Sequence, residues 1–225
     1  IIGLLLWIAN YRLLPETLHD GHKQDFNVGN LMRGYWELGK NPRFMLLALA
    51  SGIPFNGMFL YVLSAPVFLG DILGLGPGEF FWFFCMTIAG IMGGAWLSGR
   101  LAGNIRPRHQ IRRGFIIMVA VSLLNVALNL AFEPNAWWAM WPIAIYAFGW
   151  ALMVPVVTLM VLDLVPERRG MASSIQAFIG SMANGFVAGA IAPLVMHSAI
   201  ALAVTSLAMM SVGAIAWLWV KRSLG

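Results

Sequence analysis

Charge is what this sequence has least of. Only 10% of its 225 residues are Asp, Glu, Lys or Arg, against roughly 25% in soluble domains. None of them sits in the middle of a complete apolar run, so the usual mark of an intramembrane proton relay or ion path is missing. Cysteine is nearly absent too: Cys85 stands alone in an apolar run, which excludes an intrachain disulfide and suggests neither a redox centre nor a metal site. There is no HExxH, no GxSxG and no GxxxxGK[ST]. Zincin, serine-hydrolase and P-loop chemistries therefore lack their required groups. These residues contain no enzyme, and no cofactor is expected.

Apolar surface takes the place of charge. Hydrophobic residues make up 60% of the chain, above the roughly 45–50% of soluble domains. They gather into runs near 44–70, 80–101, 114–132, 137–162, 171–196 and 199–220, each near or above the roughly 18–20 residues that a helix needs to cross the hydrocarbon core. The prediction is an all-α membrane protein with six complete spans in a bundle over 44–220. Residues 1–12 read as the end of a truncated transmembrane helix. That stretch is too short to span and lacks the Met and basic flank of a signal peptide, so the chain is expected to be a fragment beginning partway through a helix. Residues 13–43 form a linker and 221–225 a tail. Ten Trp and fourteen Phe fit aromatic belts at the two interfaces, and eleven Pro with twenty-four Gly fit kinked, closely packed helices.

The few charges set the expected topology. All fourteen Lys and Arg fall on alternate connections: Arg12 to Arg43, then Arg100 to Arg113, then Arg168 and Arg169, then Lys221 and Arg222. The loops around Asp71 to Glu79, Glu133 to Asn135 and His197 have none. Basic loops stay in the cytoplasm, which places the 102–113 loop, the island Asp163 to Arg169 and the C-terminus there. The net charge of +5 is thus a topology signal, and no nucleic-acid partner is implied.

Small residues mark packing faces. Ser173, Ala177, Ser181, Gly185 and Gly189 recur every four residues, a stripe that lets helix backbones approach closely. Gly90, Gly94 and Ser98 make a shorter one. Tight packing alone accounts for either stripe, and sliding of packed helices is the functional alternative. Pro54, with Gly52 and Gly57, falls in the first span, and Pro155, with Gly149, in the fourth. Proline removes a helical hydrogen bond, and breaks at matching places of two three-helix units point to an internal repeat around a central site. The neutral polar residues Asn56, Tyr61, Tyr146, Trp150, Gln176 and Asn184, together with Ser64, Asn125, Asn129 and Thr158, need partners or water within a bilayer. Taken singly they bond between helices. As a set they line an aromatic, amide-rich cavity suited to amphipathic molecules. In the linker, Leu31, Tyr35 and Leu38 at near-helical spacing predict an interfacial helix.

With these segments in view, the chain resembles the C-terminal half of the major facilitator superfamily. The likeness runs through "WIANYRLLPETL", "NPRFMLLALASGIPFNGMFLYVLSAPVFL", "GGAWLSGRLAGNIRPRHQIRRG" and "VPERRGMASSIQAFIG", and is nearest to bicyclomycin-resistance-type (Bcr/CflA) drug:proton antiporters. It implies the last six helices of a twelve-helix carrier of the bacterial inner membrane. Its partners would be the lipid bilayer, a small amphipathic drug-like substrate, protons and a missing N-terminal half. Two halves would rock about a central cavity to export the substrate. The family's cytoplasmic signature, G-x-x-x-D-R-x-G-R-R, is echoed by Gly94, Ser98, Gly99, Arg100, Gly103, Arg106 and Arg108, with Gly99 in place of the acid. The expected latch joins Gly94 and Arg100 to Asp163 or Glu167 and Arg168 across the cytoplasmic face. The proton-carrying acid of the family generally lies in the other half. Two further readings stay open: an uptake symporter of the same superfamily, and a non-transporting six-helix scaffold.

Overall fold

Helix starts in this chain are written mostly in proline and asparagine. Pro42, Pro77, Pro107 and Pro166 each open a helical segment, where a missing N–H costs nothing and φ is already helical. Asn41 adds a cap, its Oδ1 accepting from the backbone N–H of Arg43 at 3.0 Å and of Phe44 at 3.3 Å. Asn135 does the same for Trp137 N–H at 2.8 Å. Two turns need a left-handed residue, and glycine supplies it at Gly74 (φ 67°) and Gly103 (φ 79°).

The computed structural model describes residues 2–13 and 28–223. Its helices are α1 (Ile2–Leu13), α2 (Val28–Lys40), α3 (Pro42–Leu63), α4 (Phe80–Leu101), α5 (Pro107–Ala131), α6 (Trp141–Asp163), α7 (Arg169–Phe186) and α8 (Ala199–Ser223). Among the described residues, six helices are long and apolar enough to cross a membrane: Pro42–Leu63, Pro77–Leu101, Pro107–Ala131, Ala136–Asp163, Pro166–Val195 and Ala199–Lys221. They match the six predicted runs in number and order. Several start a few residues earlier than hydropathy suggested, because the proline starts lie among charged residues. The "LPET" segment and the rest of the 14–27 part of the linker lie outside the described residues.

The chain divides into two units, Ile1–Gly34 and Tyr35–Gly225. In the first, α1 is a short apolar helix with Trp7 stacked on Tyr11. The second holds the six spans and the latter part of α2. There Leu38 is buried and Tyr35 Oη lies 3.0 Å from Ser174 Oγ, so that part of the predicted interfacial helix packs on the bundle.

Within the bundle α6 touches α3, α4, α5 and α7, while α3 also touches α7 and α8, and α5 touches α8. Exchanging the first three spans for the last three preserves most of this pattern: α3–α8 becomes α6–α5, and α4–α6 becomes α7–α3, while α6–α7 has no counterpart of similar extent between α3 and α4. The tight α8–α3 and α5–α6 contacts obey the same exchange. A Cβ on Gly213 of α8 would strike Pro54 of α3, and one on Gly114 of α5 would lie 2.7 Å from Gly149 O and 2.8 Å from Met153 Cβ of α6. Both proline helices stay continuous through Pro54 and Pro155. Gly149 is a packing position against Met118 and Gly114.

The two small-residue stripes part company. Gly90 and Gly94 press on the backbone oxygens of Ala144 and Phe148, so closely that a Cβ would collide with them. On the longer stripe Ser173, Ala177, Ser181, Gly185 and Gly189 are all exposed, and a Cβ on Gly185 or Gly189 meets nothing within 4 Å. Among the described residues the glycines of that stripe pack on nothing. The approach of α7 to α3 runs instead through Gly180, whose Cα lies 3.6 Å from a Cβ placed on Gly52. That is one residue, about 100° of helix rotation, from Ser181.

Candidate functional site

Proline at position 54 leaves the Ala50 carbonyl without its usual i+4 donor, and the neighbouring carbonyls of α3 become acceptors for side chains of α6. Tyr146 Oη donates to Pro54 O at 2.6 Å, and Trp150 Nε1 donates to Ser51 O at 3.2 Å. The Ser51 hydroxyl donates to Ala48 O and accepts from Gln176 Nε2 of α7, both at 3.0 Å. Gln176 Nε2 also reaches Thr158 Oγ1 at 3.2 Å. Ser51 therefore ties three helices together through its main chain and its side chain. Sequence reasoning passed over it. The available signal was its position three residues before a mid-span proline, on the turn whose bonding the proline disturbs.

Above this node opens a groove of about 380 Å³, with walls that include Ser51, Phe55, Trp150, Gln176, Gly180 and Asn184. Its aromatic side is a ladder: the Phe55 ring lies 5.3 Å from Phe59 and 5.0 Å from Trp150, centroid to centroid. Its polar side ends in Asn184 Oδ1, a buried acceptor without a hydrogen-bond partner. No Asp, Glu, Lys, Arg or His lines the groove. Such a surface offers ring stacking and amide hydrogen bonding, with no fixed charge.

Of the six expected cavity residues, the structure brings Trp150, Gln176 and Asn184 to this groove. Asn56 is buried, with its Nδ2 donating to Gly52 O at 3.2 Å. Tyr61 and Tyr146 line a separate interior hollow of about 10 Å³, beside Ser122, Asn125 and Ser206, a volume on the scale of one water. There Asn125 Nδ2 donates to Tyr61 Oη at 2.9 Å, and Asn125 Oδ1 accepts from Asn129 Nδ2 at 3.1 Å. Tyr61 and Tyr146 bond between helices, whereas the Asn56 and Asn129 amides bond within their own.

At the basic end the expected latch is replaced by other pairs. Asp163 Oδ1 takes Arg169 Nη2 at 3.0 Å, and Arg168 Nη1 reaches Glu37 Oε2 of α2 at 3.1 Å. The Arg100 guanidinium lies over the Trp96 ring, 4.4 Å from its centroid, a cation–π contact within its own helix, so the Arg100–Asp163 pair does not form. The α4–α5–α6 junction here is held by a residue that looked like loop: Gln110 Nε2 donates to Ser98 Oγ at 2.7 Å and to Leu152 O at 3.0 Å. Among the described residues no group of three or more His, Cys, Asp or Glu could hold a metal.

A family model described as Major Facilitator Superfamily matches residues 1–189. The chain belongs to that superfamily. It is 26% identical over 183 residues to the uncharacterised superfamily transporter YdgK of Bacillus subtilis, covering 81% of this chain and 44% of that protein. It is 24% identical over 198 residues to a bicyclomycin resistance protein homolog of Haemophilus influenzae, covering 85% and 46%. Multidrug resistance protein D of Escherichia coli is 25% identical over 179 residues, covering 79% and 43%. The chain thus spans less than half the length of these curated relatives. Membership makes the six apolar helices those of a multi-pass membrane protein of a transporter family.

Proposed function

We propose that this chain supplies one half of a twelve-helix drug-efflux antiporter, which moves small amphipathic organic compounds out of the bacterial cytoplasm in exchange for protons. The observation that carries this reading is the groove beside Pro54. It combines the Phe55 and Trp150 rings, with Phe59 stacked behind Phe55, and the amides of Gln176 and Asn184, the latter with an unpartnered acceptor, in a wall free of charge. Stacking and a few neutral hydrogen bonds hold many drug-like scaffolds and demand no single one. The names of the Haemophilus and Escherichia relatives point to the same substrate class.

Burial supports a second half. Only 11% of the apolar stretch of the α7 span and 17% of the α4 span is buried, against 56% in α3. The two bare helices fit a partner bundle across the groove, with rocking of the two bundles opening it to one side and then the other. The basic end then faces the cytoplasm in the inner membrane, and the proton-carrying acid belongs to the other half. The protein acts as a carrier and no bond is made or broken.

The test uses the complete coding sequence that contains this chain, expressed in a host stripped of its own efflux pumps. Export of a lipophilic cationic dye that stops on addition of a protonophore is the expected result. Gradient-driven uptake would replace the antiporter with a symporter, and absence of any gradient-dependent flux would overturn the carrier reading.

A further inference from the structure

Away from the groove, the start of α5 and the end of α8 enclose a hollow of about 580 Å³ lined by Arg106, Arg108, His109, Arg112 and Lys221, among others. No acidic side chain lines it. Arg106, Arg112 and Lys221 facing one space repel one another, so the hollow favours an anion, and guanidinium forks match the oxygens of a phosphate. Arg112 and Lys221 also line a second hollow, of about 680 Å³, which continues between α5 and α8. Its remaining lining is apolar. Phe115 and Trp217 are buried in its floor, while Ile116, Leu123 and Leu218 are each about half exposed along its rim.

The dimensions are those of one leaflet. From Arg112 to Leu123 the groove follows eleven helical steps of α5, about 16 Å of axial rise, close to half of the roughly 30 Å hydrocarbon core. A charged pocket that joins end to end with an apolar groove of that depth has the shape and polarity of a lipid. A free phosphate would leave the apolar part empty, and an uncharged lipid would supply no counter-charge to Arg106, Arg112 and Lys221.

We propose that the α5–α8 face binds one anionic glycerophospholipid, with its phosphate between Arg106, Arg112 and Lys221 and an acyl chain lying along the apolar groove. The site is separate from the Pro54 groove and holds whatever that groove transports. Occupied, it bridges the third and sixth spans, which are neighbours in the bundle.

The complete transporter, delipidated in detergent, would be titrated with phosphatidylglycerol and with phosphatidylcholine of the same acyl chains, and bound lipid counted by native mass spectrometry. Phosphatidylglycerol should be retained in preference to phosphatidylcholine, with one molecule lost in the Arg112→Gln, Lys221→Gln double variant. The expected weakening is about five-fold per cation, about 25-fold for the pair. Arg112→Lys, which keeps the charge, should retain it. Excess inorganic phosphate should leave the lipid in place, because the acyl chain contributes its own binding. Equal retention of the two lipids, or displacement by phosphate alone, would overturn the proposal, and both are read on the unmodified protein whether or not the double variant folds. Unchanged retention in a monodisperse double variant would overturn it as well.

Discussion

Trp150 serves two purposes through two parts of one side chain. Its indole N–H ties α6 to the Ser51 carbonyl, and its ring continues the ladder from Phe55. Trp150→Phe keeps the ring and loses the bond, whereas Trp150→Ala loses both. With aromatic pairs contributing about 1 kcal/mol beyond area burial, Trp150→Ala is expected to raise the half-saturating dye concentration for export roughly five-fold, with Trp150→Phe closer to the parent. Equal dye affinity in all three proteins would remove Trp150 from the binding surface. Trp150, Gln176 and Asn184 could be picked from the sequence because polar groups in a long apolar run stand out. Ser51 and Gln110 could not. A serine is unremarkable in a membrane helix, and Gln110 is surrounded by Arg and His that read as loop. Their roles come from partners 99 to 125 residues away for Ser51, and 12 and 42 away for Gln110.

At the scale of helices, glycine decides which faces can meet. Gly94 lies so close to the Phe148 carbonyl that any side chain must move α4 from α6. Gly94→Val should therefore lower bundle stability by about 1–3 kcal/mol, the usual range for overpacking, seen as a lower thermal midpoint in detergent. Gly185→Val has open space around it and should leave that midpoint within about 0.5 kcal/mol of the parent. Under the two-half reading the same substitution abolishes dye export by blocking the approach of the other bundle. A stable Gly94→Val bundle, or a strongly destabilised Gly185→Val one, would contradict this assignment of faces. Hydropathy could not choose between them, because α7 has small residues on several sides. Gly180, Ser181 and Ala183 point three different ways around one helix.

Across the whole molecule, the scarcity of charge bears on the proposed antiport. The groove contains no titratable side chain, so on that reading substrate contact and proton binding fall to different residues. Gln176→Ala and Asn184→Ala should therefore raise the half-saturating dye concentration two- to ten-fold, the range for about 0.5–1.5 kcal/mol of lost hydrogen bonding. The pH midpoint of export should stay where it is. A shifted midpoint in either variant would mean that the groove takes part in the proton step. The same scarcity makes the spans legible: with basic residues confined to alternate connections, six spans can be counted and ordered from the sequence alone.

What the sequence determined by itself was the class of molecule: six spans, their order, the basic end, and the resemblance that family membership bears out. These follow from run length and from the high cost of placing charge in hydrocarbon, which are local properties of the chain. Tertiary structure alone decided which polar residues meet in the groove and which stay between helices, which glycine stripe packs, and where Asp163, Arg168 and Arg100 find their partners. Those outcomes depend on the rotation of each helix about its axis. A one-residue shift turns a side chain by about 100°, and it is contact with neighbouring helices that selects the rotation.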